Sequence, residues 1–392
     1  MRKIAIVTGT RGEYGIYTSV LDAIDAHPDI EYELIVTCMH LSEQFGHTID
    51  EIRKDGRKIG AEVDMLKYPD TLAGMSKNAG VAIIGMTEAI EKIKPDIVLV
   101  LGDRDEQLAG AIAGAHMNIP VAHLHGGEMT GTLLDENIRH AITKYSHIHL
   151  PATKRSAEYI ERMGEPKENI ILVGAAGVDS VKRKGKMSRE ELAKRFDFDP
   201  NKRIILSLQY PVTTQYEEMK QQMEEVMDAL LELNEQTVYV YSNSDAGHTE
   251  MMEVLEEKVG ATENKIKIFK SLSYEVYLSL MKTADVMMGN SSSGVLEAPS
   301  CETPYVLIGT RQQGREQAAS IQEIPCKKED ILKAVDKALN DEEFKEIIKT
   351  CEKPYDPFND DNSGKRIAEA LATFDIEKPE LLQKKLTYPY LK

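Results

Sequence analysis

Short apolar runs rich in β-branched residues alternate with amphipathic stretches along most of this chain, and that order constrains the fold more than any single motif does. Runs at 4–7, 32–37, 97–101, 120–124 and 148–150 have strand length and are bounded by turn residues. Between them, 18–26, 81–93 and 106–115 carry apolar residues at helical spacing. Strands buried on both faces read as continuous apolar runs, and helices between them return the chain for a parallel pairing. A second series follows the charged segment 182–186, with runs at 204–208, 237–241, 266–269, 286–288 and 305–308 and helical patterns at 216–233 and 274–282. At 392 residues the chain exceeds one ordinary core. The sequence therefore predicts an α/β protein of two Rossmann-like, doubly wound domains facing a cleft. The first spans 1–180 and the second 181–363, with a last helix and tail, 364–392, crossing back onto the first.

Charge narrows the partners. The chain has 65 acidic against 48 basic residues, a formal charge of −17, which disfavours general binding to nucleic acid or to an anionic membrane surface. No apolar run approaches the roughly 20 residues of a membrane span. Met1-Arg2-Lys3 leads straight into a strand-like run rather than a signal-peptide core. A cytoplasmic protein is the expectation. Cys38, Cys301, Cys326 and Cys351 lie far apart with no C-x-x-C pair, and read as buried or incidental thiols rather than zinc ligands.

Open α/β sheets bind ligands beyond the carboxyl ends of their strands, and the polar clusters of this chain fall there. The first run leads into Thr8-Gly9-Thr10-Arg11-Gly12-Glu13-Tyr14-Gly15. Its glycines are spaced G-x-x-G-x-x-G, and the second run ends at Cys38-Met39-His40 rather than at an acid, so a dinucleotide site is not expected. Arg11 is a candidate phosphate or sugar contact. Gly102-Asp103-Arg104 follows the third run and places Asp103 either as a helix N-cap or as a reacting carboxylate. In His123-Leu124-His125-Gly126-Gly127-Glu128, period-two alternation predicts two imidazoles on one strand face, before a glycine turn and an acid. No further metal ligands stand at the usual spacings, so an acid/base or structural pair is expected before a metal site. Asp135 and Arg139 are spaced i, i+4, so they can form a structural pair on one helix face, or Asp135 can be a positioned carboxylate whose acidity Arg139 tunes.

In the second half, Gly289-Asn290-Ser291-Ser292-Ser293-Gly294 reads as a strand end, a small-residue turn and a helix start, with Glu297 shortly after. Backbone N–H groups and serine hydroxyls in such a turn can cradle a diphosphate. Gly309-Thr310-Arg311-Gln312-Gln313-Gly314-Arg315 then supplies two guanidinium groups. Tyr210-Pro211-Val212-Thr213-Thr214 and Ser242-Asn243-Ser244-Asp245 are polar turns after two further strands.

Taken in order, these motifs resemble the hydrolysing nucleotide-sugar 2-epimerases of sialic and legionaminic acid synthesis. The resemblance implies a glycosyltransferase-B-like fold, a homodimer, and no need for NAD or a catalytic metal. It also implies that the second domain holds the nucleotide and the first performs the sugar chemistry. Asp103, His125, Glu128 and Asp135 are then the candidate catalytic groups. Arg11, Arg139, Tyr210, Ser242, Asn243 and Asp245 are candidate contacts to the nucleotide sugar, as are Ser291, Ser292, Ser293, Gly294, Glu297, Arg311 and Arg315. The implied reaction expels the nucleoside diphosphate from C1, removes the C2 proton to give a glycal, and rehydrates it to the free 2-epimer. Two positions depart from the family pattern: His125 stands where other members have Glu, and Tyr210 where many have His. UDP and GDP, and N-acetylglucosamine and N,N'-diacetylbacillosamine, all remain open as substrate parts. A glycosyltransferase of the same fold and a non-catalytic nucleotide-sugar sensor are the alternatives.

Overall fold

The computed structural model describes residues 1–130, 134–241, 245–260 and 265–385. It contains two six-stranded parallel sheets. The first is built from β1 (Arg2–Thr8), β2 (Ile30–Thr37), β3 (Ile59–Val63), β4 (Ile97–Leu101), β5 (Val121–Leu124) and β6 (Ile148–Leu150), in the order β3-β2-β1-β4-β5-β6. The second is built from β7 (Ile204–Leu208), β8 (Gln236–Val240), β9 (Ile266–Phe269), β10 (Val286–Gly289), β11 (Tyr305–Ile308) and β12 (Ile321–Ile324), in the order β12-β11-β10-β7-β8-β9. Read from the opposite edge, the second order is the same winding as the first. Each half is thus a Rossmann-like doubly wound unit, and the switch points fall between β1 and β4 and between β7 and β10.

The central strands explain why ten of the twelve were legible. Every residue of β4, β7 and β11 is buried, so each presents an unbroken apolar or near-apolar run. β3 and β12 are edge strands, mostly half-exposed, and their mixed sequences carried no such signal.

The first helix, Arg11–Asp25, begins seven residues before the start predicted at 18. Thr10 caps it, accepting from the Glu13 N–H at 3.2 Å, while Glu13 reaches back to the Thr10 N–H at 3.1 Å and the Gly9 N–H at 2.6 Å. This capping box starts the helix despite Gly12 and Gly15, which blurred the apolar periodicity. The helix Ser363–Thr373 lies on this first helix: Ile367 and Leu371 share a core with Tyr17, Val20, Leu21 and Ile24. A Cβ on Gly364 would stand 2.5 Å from the Ser19 carbonyl, so the two backbones meet where only glycine fits. Ile367 and Leu371, both fully buried, each contribute about 1.5–3 kcal/mol by removal from water. Among the described residues no helix is long and apolar enough to cross a membrane.

Candidate active site

Both switch points open onto one cleft. Thr10 and Arg11 after β1, Gly102 and Asp103 after β4, Tyr210 after β7 and Ser291 after β10 all line it. On the second-sheet side the backbone is shaped tightly. Gly289 has φ +128°, and a Cβ there would sit 1.8 Å from the Leu208 carbonyl, so β10 can turn towards the cleft only with glycine at this point. The Asn290 side chain then ties the ends of β7 and β10 together: its Oδ1 accepts from the Tyr210 N–H at 2.6 Å and its Nδ2 donates to the Tyr210 carbonyl at 2.9 Å. Ser291 Oγ accepts from the Ser293 N–H at 3.3 Å and lies 2.9 Å from the Ser293 hydroxyl, which also bonds the Tyr277 hydroxyl. Ser291, Ser292 and Ser293 all face the cleft.

Arginines from both halves line the same cleft, among them Arg11, Arg139, Arg311 and Arg315. Arg11, at the first position of its helix, lays its guanidinium 5.2 Å from the centre of the Tyr277 ring. Its Nη1 is buried without a hydrogen-bond partner among the described residues. Arg311 lies 5.0 Å over the Tyr210 ring and donates to Asp135 at 3.4 Å. Arg315 reaches Glu128 at 3.3 Å and Asp103 at 3.4 Å. Arg139 is fully buried and donates to Asp103, to Glu136 at 3.1 Å and to the Glu128 carbonyl at 3.1 Å.

These contacts overturn the predicted Asp135–Arg139 pair. Neighbouring positions on a helix surface contribute only about 0.2–0.5 kcal/mol when they pair. Arg139 instead points inward, where the strand-tip carboxylate, Glu136 and the Glu128 carbonyl accept from a cation that has no access to water. Asp135 reaches across the cleft to Arg311. The two aspartates thereby acquire opposite acidities. Desolvation would raise the Asp103 carboxyl, but the charges of Arg139 and Arg315 outweigh it and hold the group down at about 2. Asp135 is raised to about 6 by desolvation and by the neighbouring negative charge of Asp103.

His125 lies just beyond the end of β5 with φ +59°, a left-handed conformation costing a non-glycine residue about 1–2 kcal/mol. The predicted alternation stops there, so the two imidazoles do not form a pair. His123 bonds the Gly102 carbonyl at 2.8 Å and the Thr143 hydroxyl at 3.2 Å, and burial lowers it to about 3. His125 turns into the cleft, its Nδ1 2.7 Å from Glu128 Oε1. Burial would raise Glu128, but Arg315 and the His125 hydrogen bond lower it. Nδ1–H therefore donates to the ionised carboxylate, which leaves Nε2 directed at the cleft. That Nε2 is buried and has no partner among the described residues.

The family model described as UDP-N-acetylglucosamine 2-epimerase matches residues 22–372. The chain belongs to that epimerase family. It is 39% identical over 345 residues to a UDP-N,N'-diacetylbacillosamine 2-epimerase (hydrolyzing) of Legionella pneumophila, covering 88% of this chain and 91% of that one. A GDP/UDP-N,N'-diacetylbacillosamine 2-epimerase (hydrolyzing) of Campylobacter jejuni is 32% identical over 368 residues, covering 89% and 95%. In fold it resembles the crystal structure of UDP-GlcNAc 2-epimerase from Neisseria meningitidis bound to UDP-GlcNAc, with TM-score 0.79 at 20% identity over 94% of this chain and 99% of that one.

Within this epimerase fold, not every predicted contact lines the cleft. Gly294 packs under the Tyr305 ring, which a Cβ would meet at 2.3 Å; its small size serves packing. Asp245 pairs with Arg104 from the first half at 3.3 Å and so bridges the halves of the molecule. Ser242 and Asn243 lie outside the described residues. Glu297 does face the cleft, and burial raises its carboxyl to about 8. Sequence reasoning missed Glu13, a buried cleft residue whose Oε1 has no partner among the described residues. Burial and the nearby Glu106 raise it to about 8. The T-x-x-E spacing of Thr10 and Glu13 was the available signal.

Proposed function

We propose that this protein is a hydrolysing nucleotide-sugar 2-epimerase. Its substrate is UDP-N,N'-diacetylbacillosamine or UDP-N-acetylglucosamine, which it converts to the free 2-epimer and UDP. The observation that carries the reading is a pair of carboxyls of opposite acidity at an arginine and serine cradle: Asp103 lines it, and Asp135, which is not among its lining residues, pairs with Arg311 of the cradle at 3.4 Å. The Legionella pneumophila relative supports the choice of sugar and nucleotide. A GDP-sugar is the variant most worth comparing, because the Campylobacter jejuni relative is named for both nucleotides.

A C2 proton next to an acetamido group becomes removable only as positive charge grows at C1. Arg11, Arg311 and the serine hydroxyls receive the departing diphosphate, an electrostatic task at which preorganised donors in a desolvated site excel. Asp103, ionised throughout, sits against the cationic charge developing at the anomeric carbon. Asp135, with an acidity near the working pH, accepts the C2 proton. The C1–O bond breaks with its electron pair on the diphosphate, and a C1–C2 double bond forms. In rehydration, His125 Nε2, with Glu128 behind Nδ1, delivers a proton to C2 from the opposite face while water adds its oxygen to C1 and loses a proton to solvent; proton exchange of Asp135 and His125 with solvent restores the starting state. Arg139 holds Asp103, and Tyr210 serves as the platform for Arg311 in place of a second cation. Glu297, buried near the phosphate turn, offers an acceptor to the ribose diol. We also propose a homodimer, which light scattering on the purified protein tests.

The test is a substrate panel of UDP-N,N'-diacetylbacillosamine, its GDP counterpart and UDP-N-acetylglucosamine, run in D₂O. Release of nucleoside diphosphate together with a free sugar deuterated at C2 is expected. Absence of release from all three sinks the proposal, and release without C2 deuterium points to simple hydrolysis or transfer.

A further inference from the structure

The last described segment of the chain returns to the first sheet and ends behind the helix that carries Asp135 and Arg139. Leu381 is buried in one core with Leu371 and Phe374. Three residues later, Lys384 donates to the carbonyls of Thr143 and Lys144 at 2.8 Å each and pairs with Glu165 at 2.8 Å. Both carbonyls belong to the last turn of the helix Leu134–Tyr145. Carbonyls there lack intrahelical donors, and the helix dipole favours a cation. Glu165 is itself fully buried and also holds Lys144 Nζ at 2.6 Å and His149 Nε2 at 3.1 Å. Its several nitrogen partners make it a fixed anchor rather than a mobile surface charge.

The same helical turn leads forward to the cleft. Thr143 Oγ1 bonds His123 Nδ1, and His123 Nε2 bonds the carbonyl of Gly102, the residue before Asp103. Lys384 thus stands at the rear of a hydrogen-bonded line whose front is the carboxylate cluster. Neither Thr143, Lys144 nor Glu165 lines the cleft.

We propose that Lys384 is a positioning residue for the epimerase reaction: it pins the rear end of the helix Leu134–Tyr145 and thereby keeps Asp135 and Arg139 in register with Asp103. The inference rests on the role given to Asp135 above. A displacement of about 1 Å at a reacting group can cost up to about 100-fold in rate, so a loosened helix reads out in turnover, whereas the nucleotide grip, built on the second sheet, stays intact.

The experiment compares wild type, Lys384→Met, which keeps the apolar stem and removes the ammonium, and Lys384→Arg, which restores a cation. For Lys384→Met we expect kcat about tenfold lower, UDP affinity by calorimetry within about twofold of wild type, and faster amide hydrogen exchange across 134–145. Lys384→Arg should recover most of the lost kcat and the slow exchange. The proposal is overturned by unchanged kcat in Lys384→Met, by an equal loss of UDP affinity, or by a loss that Lys384→Arg does not relieve. If wild type turns over none of the substrate panel, the reaction assigned above fails; the exchange comparison still decides the clamp, and unchanged exchange in Lys384→Met overturns it.

Discussion

At the scale of single residues, the site separates two aspartates that look alike in sequence. Asp103 pairs with Arg139 and Arg315, whereas Asp135 pairs with Arg311 and feels the negative charge of Asp103. If Asp135 takes the C2 proton, it must be ionised. Its acidity is raised to about 6, so kcat should fall roughly tenfold per unit as pH drops below that value. A kcat profile from pH 4.5 to 8 that stays flat through 6 removes Asp135 from that role. Asp135→Asn should lower kcat by about 10²–10⁴-fold with UDP affinity nearly intact. Asp103→Asn should be as inactive and also less stable, by about 3 kcal/mol, because it leaves buried Arg139 and Arg315 short of a counter-charge. Comparing the melting temperatures of the two variants checks this, and equal values contradict it. None of this asymmetry was legible in the sequence, where i, i+4 spacing suggested an Asp135–Arg139 pair. Spacing along a helix fixes which residues are neighbours on its surface, while the inward turn of Arg139 depends on what the sheet places beneath it.

At the scale of elements, helix starts and strand ends do the positioning. The capping box of Thr10 and Glu13 begins the first helix at Arg11, and that start delivers the Arg11 guanidinium to the cleft. Glu13 has an ordinary carboxylate acidity of 4.5 in an unfolded chain and is raised to about 8 in the fold. The native state therefore holds a proton that the unfolded chain releases between those values. The stability Glu13 contributes is fully present below pH 4.5 and is lost as pH rises through 8. Glu13→Gln keeps the capping geometry without the titration, so the variant should melt near wild type at pH 5 and above it at pH 9. A constant difference between the two pH values contradicts the assignment. The elements also show where sequence patterns lose force. Central strands such as β4 and β7 were plain as buried apolar runs, while β3 and β12, paired on one side only, had mixed sequences with no period to read.

At the scale of the whole molecule, contacts between the two halves surround the cleft. Arg311–Asp135 and Arg315–Asp103 cross at the carboxylate cluster, and Arg104–Asp245 crosses elsewhere. Asp70 accepts from the Thr249 N–H at 3.1 Å and from its hydroxyl at 2.7 Å, and the Phe45 and His248 rings meet at 5.0 Å. These contacts hold the two halves together around the cleft. Asp70→Ala removes two hydrogen bonds of about 1 kcal/mol each, so it should shift the unliganded protein towards an open form. X-ray scattering should show a larger radius of gyration for this variant, restored by UDP; identical radii with and without the substitution contradict it. The sequence by itself determined the two doubly wound halves, the strand tips that bear polar residues, and the cleft-lining turn at Ser291–Ser293, because apolar runs, glycine spacing and small-residue turns are local properties. Only the tertiary structure decided which charges meet. The acidity of Asp103 and of Asp135, the turn of His125 onto Glu128 and the packing of Gly294 under Tyr305 all depend on groups distant in sequence or on a backbone conformation set by its surroundings, and desolvation and Coulomb energy act through space rather than along the chain.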